Sequence, residues 1–130
     1  MKRIFLIFVW VLMAGIPSLA EDFSVVFDEM SAQAKSTQKP LVVMVGSMVC
    51  HYCDRMREKV IPDSRVQSAL SKVLYIDVDK ENGPLPSVLQ AQARSTPTFF
   101  YFSPDGELVG GRYGFMNVEQ FLEFLEKPEP

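Results

Sequence analysis

The chain has 130 residues, a formal net charge of −3, two cysteines and one histidine, and this length is typical of one domain with a single core. Its 48% hydrophobic and 22% charged residues are typical of a globular protein and not of a disordered or fibrous one. The acidic balance gives no electrostatic reason to bind nucleic acid, and so few cysteines and histidines exclude a multi-disulfide scaffold and leave little for a metal cluster.

The first twenty residues have the pattern of a secretory signal peptide. Two basic residues precede an almost unbroken apolar run over Ile4–Ile16, and the small residues Ser18 and Ala20 fit cleavage after Ala20. The run is shorter than the roughly 20 residues that a membrane-spanning helix needs, and an uncleaved N-terminal anchor is the alternative. We therefore expect a mature domain over residues 21–130 that is periplasmic or secreted, where disulfides persist.

Beyond this segment, stretches with helical spacing of apolar residues alternate with short apolar runs rich in β-branched residues. The first pattern is typical of amphipathic helices and the second of strands buried on both faces of a sheet. In chain order the predicted elements are a helix over 23–38, a strand over 41–45, a helix from residue 50 that Pro62 interrupts, a short helix capped by Asp63 or Ser64, a strand over 73–78, a loop over 79–86, a short helix over 87–93, strands over 98–102 and 107–113, a helix capped by Asn117 and a frayed segment over 127–130.

The order of these elements predicts the fold class. Helices between the first strands favour parallel pairing, whereas the turn Pro104-Asp105-Gly106 joins the last two strands as a hairpin. The sequence therefore predicts an α/β domain with a central mixed four-stranded sheet flanked by helices.

Both cysteines lie in the segment Cys50-His51-Tyr52-Cys53, where the first strand leads into a helix. Unpaired N–H groups and the positive end of the helix dipole stabilise an anion there. We therefore expect Cys50 to be exposed, to carry a stabilised thiolate and to act as the nucleophile. Cys53 lies one turn further along, shielded from a partner, where a resolving thiol would attack the mixed disulfide.

The two residues between the cysteines, His51 and Tyr52, are candidate tuning residues. A protonated His51 would stabilise the Cys50 thiolate and make the couple more oxidising, whereas Asp54 would disfavour a thiolate at Cys53. Solvated surface exposure without a tuning role is the alternative for His51.

The cysteine pair has three alternative interpretations. A structural disulfide closing so short a loop would contribute only about 2 kcal/mol. A zinc site would have three local ligands at most, Cys50, His51 and Cys53, where four are usual. Covalent haem attachment needs a histidine at the position of Asp54.

These features resemble the thioredoxin superfamily, and in particular its small exported thiol–disulfide oxidoreductases, over Phe23–Lys127. The resemblance rests on the strand that leads into the cysteine motif, on Ser95-Thr96-Pro97-Thr98 ahead of a strand, and on the hairpin followed by a last helix. It implies a thioredoxin-like fold, a cis bond before Pro97, and a groove in which the backbone of Thr96 pairs with a substrate chain. Only an X–Pro bond makes cis geometry accessible, and a trans proline that ends a helix is the alternative.

Three positions depart from thioredoxins of the cytosolic type. Val49 stands where those proteins have tryptophan, His51-Tyr52 replaces Gly-Pro, and Met44 replaces a buried acid that lies before the first cysteine. In the family this acid aids proton transfer at the buried thiol, so its absence argues against efficient thioredoxin-like reduction. The tyrosine and Thr96 are more similar to periplasmic disulfide isomerases and glutaredoxins, so the resemblance identifies a family and no subfamily.

The leading hypothesis is an exported, monomeric enzyme that exchanges disulfides with protein or small-thiol partners through Cys50 and Cys53. It would need no cofactor or metal, would bind no nucleic acid, and could receive electrons from a membrane redox partner. The direction of exchange stays open. Two alternatives remain: a specialised thiol reductant for cytochrome or metal-chaperone assembly, and a redox-inactive binding module with an apolar surface formed by Val49, Tyr52, Thr96 and Phe115.

Overall fold

The computed structural model describes residues 23–129, and the predicted signal peptide over residues 1–20 lies outside the described residues. The described elements are α1 (Phe23–Thr37), β1 (Leu41–Gly46), α2 (His51–Arg55), a π-helical turn (Met56–Val60), α3 (Ser64–Leu70), β2 (Leu74–Asp79), a 3-10 turn (Lys80–Asn82), α4 (Ser87–Gln90), β3 (Thr98–Phe102), β4 (Leu108–Tyr113) and α5 (Val118–Glu126). Among these, no helix combines the length and apolar character that crossing a membrane requires.

The four strands form one sheet in the order β2-β1-β3-β4. Strand β1 pairs parallel with β2 and antiparallel with β3, and β3 pairs antiparallel with β4. The predicted α/β class and the mixed four-stranded sheet are confirmed, with parallel pairing confined to the first two strands. The predicted hairpin also forms, and Gly106 adopts a φ of 86° in its turn, a conformation that glycine adopts without steric cost.

Strand β1 lies in the middle of the sheet, and all six of its residues are buried. Because side chains alternate along a strand, Val42 and Met44 contribute to one hydrophobic cluster, whereas Val43 and Val45 contribute to another. The first cluster contains Cys53 together with side chains from α3 and α5, and the second contains side chains from α1 and α4. The cysteine motif is therefore anchored in the core on one face of the sheet.

The helix that follows the cysteines changes its hydrogen-bonding pattern before it ends. The N–H of Ile61 donates to the carbonyl of Met56 at 2.9 Å, a span of five residues and not the usual four. The helical segment ends at Val60, just before Pro62, which agrees with the predicted interruption because proline has no N–H to continue the ladder. Two smaller differences lie further along: the predicted loop contains the 3-10 turn, and the helix predicted over 87–93 is confined to Ser87–Gln90.

The segment 127–129 packs along β4, so the prediction that it frays is wrong for these residues. The N–H of Gly111 donates to the carbonyl of Glu129 at 3.2 Å. That carbonyl also occupies the space that a Cβ on Gly110 would need. The outer edge of β4 offers unpaired backbone groups, and the segment satisfies one of them.

Candidate functional site

The two cysteines form a disulfide where β1 leads into α2. Their sulfur atoms are 2.07 Å apart and their Cα atoms 5.2 Å apart. Cys50 has extended backbone angles and is the N-cap residue of α2, and its Sγ accepts a hydrogen bond from the N–H of Cys53 at 3.2 Å. An N–H aimed at this sulfur favours negative charge on it once the disulfide is opened.

The two sulfurs differ in their access to solvent. Cys53 is fully buried in the first hydrophobic cluster, with 0% of its surface exposed. Cys50 is half-buried and packs against the same cluster, so the expectation of an exposed Cys50 is too strong. A partner can therefore approach only one of the two sulfurs.

The residues around the disulfide form an exposed apolar rim. Met48 is 69% exposed, Val49 95% and Tyr52 52%. The Tyr52 ring lies 6.2 Å from the ring of Phe115, over which the guanidinium of Arg55 is placed at 4.7 Å. We call Met48, Val49 and Tyr52 the apolar rim.

His51, the other candidate tuning residue, lies on the exposed surface beside this rim. Its ring centroid is 5.7 Å from that of Tyr52. Both residues between the cysteines are therefore exposed, on the solvent side of α2.

The loop before β3 has the geometry that the resemblance implies. The Thr96–Pro97 bond is cis and Pro97 is buried, so the alternative of a trans proline does not hold. The Pro97 carbonyl accepts a hydrogen bond from the N–H of Gly114 at 2.8 Å. Because Thr98 is paired with Val45, this loop lies at the same end of the sheet as the start of the cysteine motif.

A carboxylate that sequence reasoning missed holds the loop between β1 and α2. One Glu81 oxygen accepts a hydrogen bond from the Ser47 hydroxyl at 2.6 Å, and the other accepts one from the N–H of Met48 at 3.1 Å. The hydrogen bond from Ser47 is the main cause that lowers the pKa of Glu81. In the sequence, Glu81 is one of several charged residues in a polar loop, and nothing there marks it as the partner of Ser47.

Sequence reasoning also missed an ion-pair cluster that links the helix after the cysteines to β2. The Arg57 guanidinium donates from Nε and Nη2 to the two oxygens of Asp77, both at 2.8 Å, and from Nη2 to Asp79 at 2.7 Å. Asp54 lies further away, 3.8 Å from Nη1. The hydrogen bond to Asp77 is the largest of the contributions that raise the pKa of Arg57 above its ordinary value.

The position of the missing acid on β1 is apolar. Met44 is fully buried there, and its sulfur accepts a hydrogen bond from the Tyr75 hydroxyl at 3.4 Å. Burial raises the pKa of Tyr75, so this hydroxyl stays protonated. Neither side chain carries charge near neutral pH.

Within residues 23–129, no group of three or more histidine, cysteine or carboxylate side chains is placed to hold a metal ion. Both thiols of the motif are joined in the disulfide. The disulfide itself makes thiol–disulfide exchange the chemistry that this arrangement can perform.

Comparison with known proteins identifies relatives of the chain. A family model described as a thioredoxin-like domain matches residues 27–128. The thiol:disulfide interchange protein DsbD of Pectobacterium atrosepticum is 34% identical over 110 residues, which are 79% of this chain and 18% of that protein. The chain thus spans less than a fifth of the length of this relative.

Solved structures share the fold. The C-terminal domain of Neisseria meningitidis DsbD in its reduced form aligns with a TM-score of 0.69 and 21% identity, over 81% of this chain and 95% of that one. A thioredoxin from Thermus thermophilus aligns with a TM-score of 0.65 and 26% identity, over 77% and 81% of the two chains. Since the family model covers most of the chain, including the whole disulfide site, the chain belongs to the thioredoxin-like family.

Proposed function

We propose that the protein is exported and exchanges disulfides with other proteins, with Cys50 as the nucleophile and Cys53 as the resolving thiol. The observation that carries this assignment is the difference in burial. Cys53 is 0% exposed, whereas Cys50 is half-buried at the N-cap and its sulfur accepts an N–H hydrogen bond. A partner sulfur can reach Cys50 from solvent and cannot reach Cys53.

In the reducing direction, the Cys50 thiolate attacks one sulfur of the partner's disulfide. A mixed disulfide forms, and the partner's other sulfur leaves as a thiolate that takes up a proton. Cys53 then loses its proton and attacks the Cys50 sulfur, which re-forms the intramolecular disulfide and releases the partner's second thiol. Two electrons pass to the partner, and the oxidising direction is the reverse of these steps.

The surroundings of the disulfide favour a protein chain as the partner over a small charged thiol. The apolar rim presents side chains that an extended apolar segment can cover, and Thr96 in the neighbouring loop is partly exposed. The name of the matched relative, a thiol:disulfide interchange protein, supports the same chemistry. Export is supported by the signal-peptide pattern of residues 1–20.

Single-cysteine variants test the two roles. We expect Cys53→Ser to accumulate a mixed disulfide with a substrate protein, visible on a non-reducing gel, because the resolving step is missing. Cys50→Ser should trap nothing and should lose insulin reduction. If Cys50→Ser traps the substrate and Cys53→Ser does not, the roles are reversed. If the double variant supports growth as well as the wild type in a deletion strain, the binding-module hypothesis replaces the proposal.

The reduction potential of the couple determines the direction of exchange. A potential of about −120 mV would identify an oxidant, and one of about −270 mV a reductant. A bridge that resists reduction below about −300 mV would be structural and would contradict the proposal.

Export is tested separately, by cell fractionation and N-terminal sequencing. We expect the protein in the periplasmic fraction with its N-terminus at Glu21. A cytoplasmic protein that retains Met1 would overturn this part of the proposal.

A further inference from the structure

The absence of a side chain at Gly46 brings three chemically different groups together. A Cβ at this position would lie 2.8 Å from Nη2 of Arg57, 3.0 Å from a carboxylate oxygen of Asp79 and 3.3 Å from the sulfur of Cys53. One cation, one anion and the buried sulfur therefore surround the same small volume. Because residue 46 is glycine, no side chain at this position lies between the three groups.

The cation and the anion are held in place by the fold. Gly46 and Asp79 are opposite residues in the parallel pair of β1 and β2, so the register fixes Asp79 beside the end of β1. Arg57 reaches it from the π-helical turn and is held from its other side by the two hydrogen bonds to Asp77. A bidentate arginine–carboxylate contact of this kind fixes the direction of the guanidinium plane.

The ion pairs beside Cys53 join side chains from two parts of the fold. Its own helix and the turn that follows supply Asp54 and Arg57, and β2 supplies Asp77 and Asp79. Cys53 also belongs to the first hydrophobic cluster, together with Met44 and Met56. Because nearby charges shift the pKa of a thiol, the balance between the Arg57 cation and these carboxylates bears directly on the protonation of Cys53.

We propose that the Arg57–Asp79 ion pair controls the protonation of Cys53 when the disulfide is open, with Arg57 favouring the thiolate and Asp79 favouring the thiol. This rests on the resolving role proposed for Cys53, because a resolving thiol must lose its proton before it attacks the mixed disulfide. The pair then sets how long the mixed disulfide persists. Arg57 and Asp79 are positioning residues in this scheme, since they act through the sulfur of Cys53.

Two substitutions separate this role from a purely structural one, because they change the charge in opposite directions. In a Cys50→Ser background, where Cys53 is the single remaining thiol, its pKa can be read from the ultraviolet absorbance of the thiolate against pH. We expect Arg57→Gln to raise this pKa and Asp79→Asn to lower it, each by about one unit, a tenfold change in the thiolate-to-thiol ratio. Both substitutions remove hydrogen bonds and should lower the denaturation midpoint alike.

Arg57→Lys provides the rescue and Arg65→Gln the matched control. Lysine keeps the positive charge and loses the bidentate contact, so we expect the Cys53 pKa to stay within a few tenths of a unit of its original value. Arg65 also pairs with two carboxylates, Asp63 and Glu119, but on the surface. Its replacement should leave the Cys53 pKa unchanged.

The proposal is overturned if Arg57→Gln and Asp79→Asn shift the Cys53 pKa in the same direction or leave it unchanged. If Arg57→Gln does not fold, Asp79→Asn and Arg57→Lys still decide the question. In the chain with both cysteines, Arg57→Gln should lengthen the lifetime of the mixed disulfide about tenfold. Opposite pKa shifts in a protein that exchanges no disulfides would leave this electrostatic control intact and refute the proposed function instead.

Discussion

Glu81 fixes the loop before Cys50 from a position 34 residues away, and its charge is part of the contact. The pKa of this carboxyl is lowered from 4.5 in the folded protein, first by the Ser47 hydroxyl and then by the N–H of Met48. A lowered pKa gives stability that is fully present above the unfolded pKa and is lost as the pH falls through the folded pKa. Glu81 should therefore stabilise the protein at neutral pH and cease to do so in acid.

We predict that Glu81→Gln lowers the free energy of unfolding at pH 7 relative to the wild type. The difference should shrink as the pH falls below about 4.5, because the wild-type carboxyl is then protonated as well. Urea denaturation across this range measures it, with Glu107→Gln as the control for an exposed carboxyl in the hairpin. A difference that stays constant with pH would show that the charge of Glu81 has no part in the contact.

Some residues of the site are marked by sequence alone, and others are not. Cys50 and Cys53 stand out because a Cys-x-x-Cys motif at a strand–helix junction has few other uses, and Pro97 because its context resembles a known loop. Gly46, Arg57 and Asp79 have no such mark. Their meeting depends on the register of β1 against β2, and a shift of a single residue would turn Asp79 to the opposite face of the sheet.

The last helix is fixed at its start by side chains that form a capping box. The Asn117 carboxamide oxygen accepts the N–H of Gln120 at 2.9 Å, and the Gln120 side chain accepts the N–H of Asn117 at 3.0 Å. Helix α5 carries Phe121, Phe124 and Leu125 into the cluster that also contains Cys53. The cap therefore stabilises a helix on which the site is packed.

Replacing the cap residue Asn117 tests how much the capping hydrogen bond of α5 contributes to stability. We expect Asn117→Ala to lower the free energy of unfolding by about 1 kcal/mol, because the N–H of Gln120 at the helix start loses its partner. Asn117→Asp keeps an acceptor and should cost much less. Denaturation midpoints of the two variants decide this, and an aspartate as harmful as alanine would mean that the hydrogen bond contributes nothing.

At the level of elements, the strands were the most predictable. The runs of β1 and β3 are nearly continuous because hydrophobic clusters cover both faces of the sheet, and all four strands lie within one residue of the predicted bounds at each end. The π-helical turn was not predictable, because the residues of Met56–Val60 are ordinary helix formers. In this turn Met56 and Val60 are buried in the core, and Arg57 points towards Asp77 on β2. Tertiary packing, and not local helix propensity, therefore explains the wider hydrogen-bonding pattern.

At the scale of the molecule, residues 23–129 form one sheet with two outer edges, β2 on one side and β4 on the other. The sequence predicts this architecture because each local pattern agrees with the fold that the others require. It did not predict how segment 127–129 packs, because that segment is polar, short and rich in proline. Its placement follows from the free backbone groups of β4, which exist only once the sheet has formed.

The contact between this segment and β4 has a consequence for how the molecules behave towards one another. An uncovered edge strand is a template on which a second chain can add a strand, and such growth leads to self-association. By occupying the N–H of Gly111, the segment closes part of this edge to other copies. We therefore expect the segment to hinder strand pairing between two molecules at this edge.

Deleting residues 127–130 should therefore increase self-association and remove the hydrogen-exchange protection of the Gly111 amide. Gly110→Ala should have a milder effect of the same kind, because a methyl group there collides with the Glu129 carbonyl while the chain keeps its length. Light scattering measures self-association, and amide exchange measures the protection of Gly111. A truncated protein that stays monomeric at high concentration would contradict the proposed role of the segment in hindering self-association. If this prediction is confirmed, a few residues remote from the disulfide help to keep the protein from associating with other copies of itself.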